Sequence, residues 1–157
     1  MTPIRRLDHV AVVVRDTEQA LRTYRDRLGL TVAHTEVQQA AGVRLTYLDC
    51  GNAFLQLVEP LDGETSLGRW LETNGEGLHH VAFGVDDAVA AAGELAPDGA
   101  PAAAHGQGRG RVSAFVPGDP PHGVRLECTD FDFEEDVANS PGWLDPSLRD
   151  AVTERSS

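Results

Sequence analysis

Four side chains of the kind that bind metal ions recur along this chain at one fixed interval. His80 follows His9 by 71 residues, and Glu127 follows Gln56 by the same 71. Each histidine sits near the start of an apolar stretch, Leu7-Asp8-His9-Val10-Ala11-Val12-Val13-Val14 and Leu78-His79-His80-Val81-Ala82-Phe83-Gly84-Val85. Gln56 and Glu127 are each second in a shorter run, Leu55-Gln56-Leu57-Val58 and Leu126-Glu127-Cys128-Thr129. The same interval relates Asp16 to Asp87 and His34 to His105, so two copies of one module align without a gap from first strand through helix to second strand. A lone histidine on an apolar strand is ordinarily a core residue with a satisfied hydrogen bond. Two at equivalent positions, with an amide and a carboxylate at a second equivalent pair, fit that description poorly, because burying Glu127 unpaired would cost several kcal/mol. A divalent metal ion supplies the missing partner. Two imidazoles, an amide oxygen and a carboxylate leave positions for water or substrate oxygens. A nitrogen and oxygen set without thiolate suits cobalt, manganese, nickel, iron or zinc.

The elements that must carry these residues follow from periodicity. Alternation in a strand puts His9, Ala11 and Val13 on one face, and His80, Ala82 and Gly84 on the corresponding face of the second copy. The opposite faces hold Val10, Val12 and Val14, and Val81, Phe83 and Val85, bulky groups that call for helices packed upon them. The face of small residues around each histidine leaves room for a ligand. After the first strand Asp16 is placed to cap a helix whose Ala20, Leu21, Tyr24 and Leu28 recur at helical spacing until Gly29. Strands are expected over 30–37, 43–50 and 53–59, the last two joined by a turn at Gly51-Asn52. A linker over 61–77 contains a short helix, 66–73, with the packing stripe Leu67, Trp70 and Leu71. The second copy places a cap at Asp86, a helix over 88–95 ended by Pro97 and Gly99, and strands over 100–105, 111–116 and 124–129. The glycine stretch Gly106-Gln107-Gly108-Arg109-Gly110 is expected to be a mobile loop, with a phosphate cradle as the alternative.

The fold class is therefore α+β: two tandem β-α-β-β-β modules forming one curved eight-stranded cup around a metal site. A single domain spans 1–130, with module one at 5–60, the linker at 61–77 and module two at 78–130. Residues 131–157 are an acidic, loosely attached tail opening with Asp132, Glu134, Glu135 and Asp136.

Composition narrows the function. A chain of 157 residues with 41% hydrophobic content can bury one core. Its formal charge of −12 argues against nucleic acid as a partner. All 13 basic residues are arginine, so Schiff-base chemistry and a phosphate-binding lysine are excluded. No apolar run approaches the ~18 residues a membrane span requires, and the N-terminus lacks the apolar segment of a signal peptide, so the expectation is a cytoplasmic protein without a membrane partner. Cys50 and Cys128 form no metal or disulfide pattern and are expected in the core.

The chain resembles the vicinal oxygen chelate (glyoxalase/bleomycin resistance) superfamily, and within it the methylmalonyl-CoA epimerases, over roughly residues 5–130. The carriers are Leu7-Asp8-His9-Val10-Ala11-Val12, Leu55-Gln56-Leu57-Val58-Glu59-Pro60, the stretch from Trp70 through Gly75-Glu76-Gly77-Leu78-His79-His80 to Phe83, and His122-Gly123-Val124-Arg125-Leu126-Glu127. The resemblance implies that His9, Gln56, His80 and Glu127 bind one divalent metal, that the protein is a homodimer, and that the substrate is a small molecule with chelating oxygens, an acyl-CoA in the epimerases. It implies an enzyme that draws a thioester carbonyl and a neighbouring carboxylate onto the metal and stabilises the enolate formed on proton loss. The family usually carries Glu-Glu-Gln-Gly-Val after its second strand, which supplies a catalytic carboxylate. This chain has Gln38-Gln39-Ala40-Ala41-Gly42-Val43, and neither glutamine nor alanine accepts a proton at neutral pH. His34, Glu36, His105, or Glu127 if it leaves the metal, could substitute as the base, with solvent-exposed edge positions as the alternative for the two histidines. Glu59 is excluded because alternation turns it away from Gln56. Two further readings stand beside the epimerase-like isomerase: a lyase, hydrolase or cyclase that tailors a natural product with the metal as Lewis acid, and a non-catalytic binding module.

Overall fold

The computed structural model describes residues 2–106 and 108–138. Eight strands form one curled sheet in the order β2-β3-β4-β1-β5-β8-β7-β6. The strands are β1 (Ile4–Val13), β2 (Thr31–Gln38), β3 (Val43–Asp49), β4 (Phe54–Pro60), β5 (Gly77–Val85), β6 (His105–Gly106), β7 (Val112–Phe115) and β8 (Arg125–Asp130). The helices are α1 (Thr17–Leu21), which widens into π-type turns over Arg22–Arg27, α2 (Ser66–Asn74), α3 (Ala88–Leu95) and α4 (Phe133–Ala138). β1 and β5 pair antiparallel at the centre, and each is flanked by a parallel neighbour, β4 beside β1 and β8 beside β5. The register fixes the site. Ala11 lies between Gln56 and His80, while Ala82 lies between His9 and Glu127. These two fully buried alanines are 71 residues apart, and their small side chains let the four larger ones lean together across them.

The bulky face behaves as its composition dictates. Val14, Leu21, Leu48 and Leu57 pack with Val12 and Tyr24 under α1, while Val85, Ala88, Ala91, Ala92, Ala114 and Cys128 pack under α3. On the other face Ala11, Val13, Val43, Leu45, Tyr47 and Val58 meet Leu71 of α2.

Several details depart from the sequence expectations. The cap of α3 is Asp87, which accepts from the Ala90 amide at 3.0 Å. Asp86 instead pairs with Arg5 at 2.6 Å. Asp87 is also the repeat counterpart of the α1 cap, Asp16, which accepts from Gln19 at 2.8 Å. The strand expected over 100–105 shrinks to β6, since Pro101 has no amide proton to give a ladder and alanine favours a strand poorly. Cys50 is exposed, unlike Cys128. Gly84 does not line an open cup: a side chain there would meet Arg6, which lies across it. The glycine loop is docked. A side chain at Gly108 would collide with the Tyr47 ring, and Arg109, at φ 70°, stacks over Tyr47 and Phe54.

The acidic run beyond β8 also behaves differently. Asp136 of α4 is buried against three arginines, at 2.6 Å from Arg111, 3.3 Å from Arg6 and 3.8 Å from Arg109. The helix is thus pinned to the sheet by its own charge, and the remainder of the expected tail lies outside the described residues.

Candidate metal centre

His9, Gln56, His80 and Glu127 are 0%, 3%, 7% and 2% exposed, burial that singles them out from ordinary surface polar residues. His9, His80 and Glu127 place ligand-type atoms within 4.8 Å of one another. His9 Nε2 stands 3.2 Å from His80 Nε2, and Glu127 Oε2 stands 2.6 Å from His80 Nε2 and 3.8 Å from His9 Nε2. Gln56 gives its Nε2 to the Tyr47 hydroxyl at 2.6 Å, which leaves the amide oxygen as the end available for ligation.

This arrangement fits a cation. Both imidazoles commit their Nδ1 atoms elsewhere, so two Nε2 atoms converge on each other and on a carboxylate. Without an ion, a proton on His80 Nε2 would have to fill the 2.6 Å contact with Glu127 Oε2, and an ion there takes its place. Glu127 Oε1 is buried and makes no hydrogen bond, with the His105 ring 3.4 Å away, which leaves it open to an ion. Burial pushes the Glu127 carboxyl up, but His80, His105 and His9 together overcome this and hold it well below the ordinary carboxylate range. Burial holds His80 down, against the pull of Glu127. An ionised carboxylate is the ligation-ready form of that side chain.

Behind these residues lies a set that strand alternation concealed. Asp8 Oδ2 accepts from His9 Nδ1 at 2.7 Å, and His79 Nδ1 meets His80 Nδ1 at 2.8 Å. Strict alternation would turn Asp8 and His79 to the opposite face. Instead the β1–β5 register shifts between Leu7 and His9, and again where His80 gives way to Leu78, so each of these residues lies at a bulge. Asp8 is in turn held by the Arg109 guanidinium at 2.5 Å. Burial pushes the Asp8 carboxyl up, and His9, Arg109 and Arg6 together bring it below its ordinary value. The sequence carries no separate signal for them, since Asp8 and His79 are 71 residues apart only because they precede His9 and His80.

The histidine pair proposed from the repeat separates. His105 lines a cavity of about 960 Å³ that His80, Gln56 and Glu127 also border; it stands 3.4 Å from Glu127 Oε1 and stacks on Phe115. His34 borders a different, smaller cleft and pairs with Glu36, which also accepts from Gln38 and from the Arg109 amide. Glu36 is occupied in holding the glycine loop to β2. Glu59 accepts from Thr17 and Arg44, away from the centre. Gln38, Ala40 and Ala41 do face the cavity, so the segment that carries no carboxylate stands at its wall. Leu67, Trp70, Phe115, Arg69 and Arg125 complete much of the lining.

The curled eight-stranded sheet with this centre at its middle defines a class, and the chain belongs to the glyoxalase/bleomycin resistance protein/dioxygenase superfamily, whose family model matches residues 8–116. Several of its relatives are epimerases. The ethylmalonyl-CoA/methylmalonyl-CoA epimerase of Cereibacter sphaeroides is 35% identical over 98 residues, 62% of this chain and 73% of that one. The mitochondrial methylmalonyl-CoA epimerase of Mus musculus is 37% identical over 91 residues, 57% of this chain and 51% of that one, so the match spans about half the mouse protein. A solved methylmalonyl-CoA epimerase in complex with methylmalonyl-CoA and ammonium superposes with a TM-score of 0.73 at 32% identity, covering 82% of this chain and 95% of that one. Among the described residues no helix is long and apolar enough to cross a membrane.

Proposed function

We propose that the chain is a metal-dependent isomerase that moves the proton on the carbon between a thioester and a carboxylate, in the manner of a methylmalonyl-CoA epimerase. The observation that carries this reading is the convergence of His9 Nε2, His80 Nε2 and Glu127 at the wall of a substrate-sized cavity. His9, Gln56, His80 and Glu127 would hold one divalent ion. Such an ion supplies electrophilic stabilisation for the negative charge that develops on a thioester oxygen as the adjacent carbon loses its proton. Leu67, Trp70 and Phe115 exclude water around the acyl group, and Arg69 and Arg125 are the cations that line the cavity for an anionic substrate. With Ala40 and Ala41 at the wall, the proton carrier is His105, whose ring is fixed by Phe115. His79 is a poor carrier, because burial and the neighbouring His80 hold it down to about 4. The resemblance to the epimerases also supports an acyl-CoA substrate and a homodimer, the latter measurable by light scattering.

The bare stretch Gln38-Gln39-Ala40-Ala41 favours a second reading, in which the ion acts as a Lewis acid on a larger natural product without moving an α-proton. Incubation of the metal-loaded protein with methylmalonyl-CoA in heavy water separates the two. The expected result is deuterium at the α-carbon, lost in Glu127→Gln, and slowed about 10²–10⁴-fold in His105→Gln at unchanged metal content. Binding of the thioester without exchange would instead support the second reading.

A further inference from the structure

We infer that Asp8 and His79 are a matched pair of positioning residues that hold the two ligand histidines by Nδ1 and so fix their Nε2 atoms for the metal. The inference rests on the metal reading above and extends it to residues with no ligand atom in the centre. Three observations carry it. First, Asp8 and His79 each immediately precede a ligand histidine and are repeat counterparts, 71 residues apart. Second, each lies at a break in the β1–β5 register that brings it onto its neighbour's side of the sheet. A bulge leaves a residue unpaired in the ladder and disrupts it locally, so two bulges at equivalent points both re-aim a side chain at an imidazole. Third, the contacts are made to Nδ1 in both cases, at 2.7 Å and 2.8 Å, while both Nε2 atoms turn inward to within 3.2 Å of each other.

The chemistry of the two contacts differs. A carboxylate only accepts, so Asp8 requires the proton of His9 on Nδ1 and leaves Nε2 bare. Arg109, bonded to the same Oδ2 at 2.5 Å and buried over Tyr47 and Phe54, keeps that carboxylate in place. At His80 the partner is an imidazole. A ligand Nε2 on His80 needs its proton on Nδ1, so His79 must accept through Nδ1 and carry its own proton on Nε2. Trp70 and Phe115 hold the His79 ring edge-on, with centroids at 5.0 Å and 6.1 Å. His9 therefore has an anionic support and His80 a neutral one, which makes the two imidazoles unequal donors to one ion.

The test uses the full chain and cobalt(II), read by affinity and by visible absorption. His79→Phe keeps the ring and its edge contacts but removes the acceptor, whereas His79→Asn restores an acceptor oxygen. Support from the outer partner of a metal-bound histidine is typically worth 10–100-fold in affinity. His79→Phe should weaken cobalt binding by about that factor and shift the absorption bands. His79→Asn should recover most of both, with the melting temperature of the metal-free protein little changed in either. Asp8→Ala, which removes the acceptor, should weaken binding similarly and also lower the metal-free melting temperature, because it breaks the Arg109 pair. Wild-type affinity and spectrum in His79→Phe would overturn the inference. Failure of the wild-type protein to bind cobalt at this centre would overturn the metal reading on which it stands.

Discussion

Tyr47 shows how one side chain can be committed to several tasks. Its hydroxyl accepts from Gln56, its ring edge meets His9 at 5.8 Å, and its face carries Arg109. Burial pushes its phenol well above the usual range, so it is protonated at neutral pH. Tyr47→Phe leaves the Gln56 amide buried without its acceptor, which should cost about 1–3 kcal/mol in denaturant unfolding. It should also loosen the metal, since the amide oxygen is then free to swing away. At this scale the four ligand candidates were legible because the interval of 71 repeats types as well as positions. Asp8 and His79 were not, since a period of two places them on the far face and no glycine or proline marks either bulge. Cys50 misled for a simpler reason: cysteine is buried so often that its type outweighed its place beside the turn at Gly51.

Among the elements, α3 gives a sharp test of which aspartate caps it. Asp87→Ala removes the acceptor for the Ala90 amide and should cost about 1 kcal/mol. Asp86→Ala breaks only an exposed pair with Arg5 and should cost less than that. The sequence presented two adjacent aspartates, and only the repeat counterpart of Asp16 has the cap geometry. The glycine loop was misread because five residues with three glycines offer no periodicity, while what anchors it is remote: Glu36 on β2 and Tyr47 on β3. Burial pushes the Glu36 carboxyl up, but bonds from Gln38, His34 and the Arg109 amide bring it below its ordinary value of 4.5. A depressed carboxyl contributes stability that is present above 4.5 and is lost as the pH falls through its folded value. Glu36→Gln should therefore lower stability near neutral pH by about 0.5–1 kcal/mol, a figure reduced for partial exposure, and the difference from wild type should vanish in acid.

Taken whole, the molecule joins its two halves at β1 and β5, and the centre sits on that seam because each half contributes one histidine and one oxygen ligand candidate. Below the seam a buried ionic cluster ties α4 to the sheet, with Asp136 among Arg6, Arg109 and Arg111. Asp136→Asn removes the buried negative charge that Arg6, Arg109 and Arg111 share, and removal of one partner from a buried pair typically costs 3–5 kcal/mol. Thermal melting should register it as one of the most damaging single changes outside the core. This connection was illegible in the sequence, where four acids in five residues look like a solvated run and nothing local points to arginines 25 and more positions away. The proposed chemistry depends on where a metal binds. Anomalous diffraction from crystals of the cobalt-loaded protein tests this most directly. The strongest peak should lie between His9 Nε2, His80 Nε2 and the Glu127 carboxylate, with the Gln56 oxygen as the fourth protein ligand. A bound ion located elsewhere, with these four side chains unliganded, would contradict it.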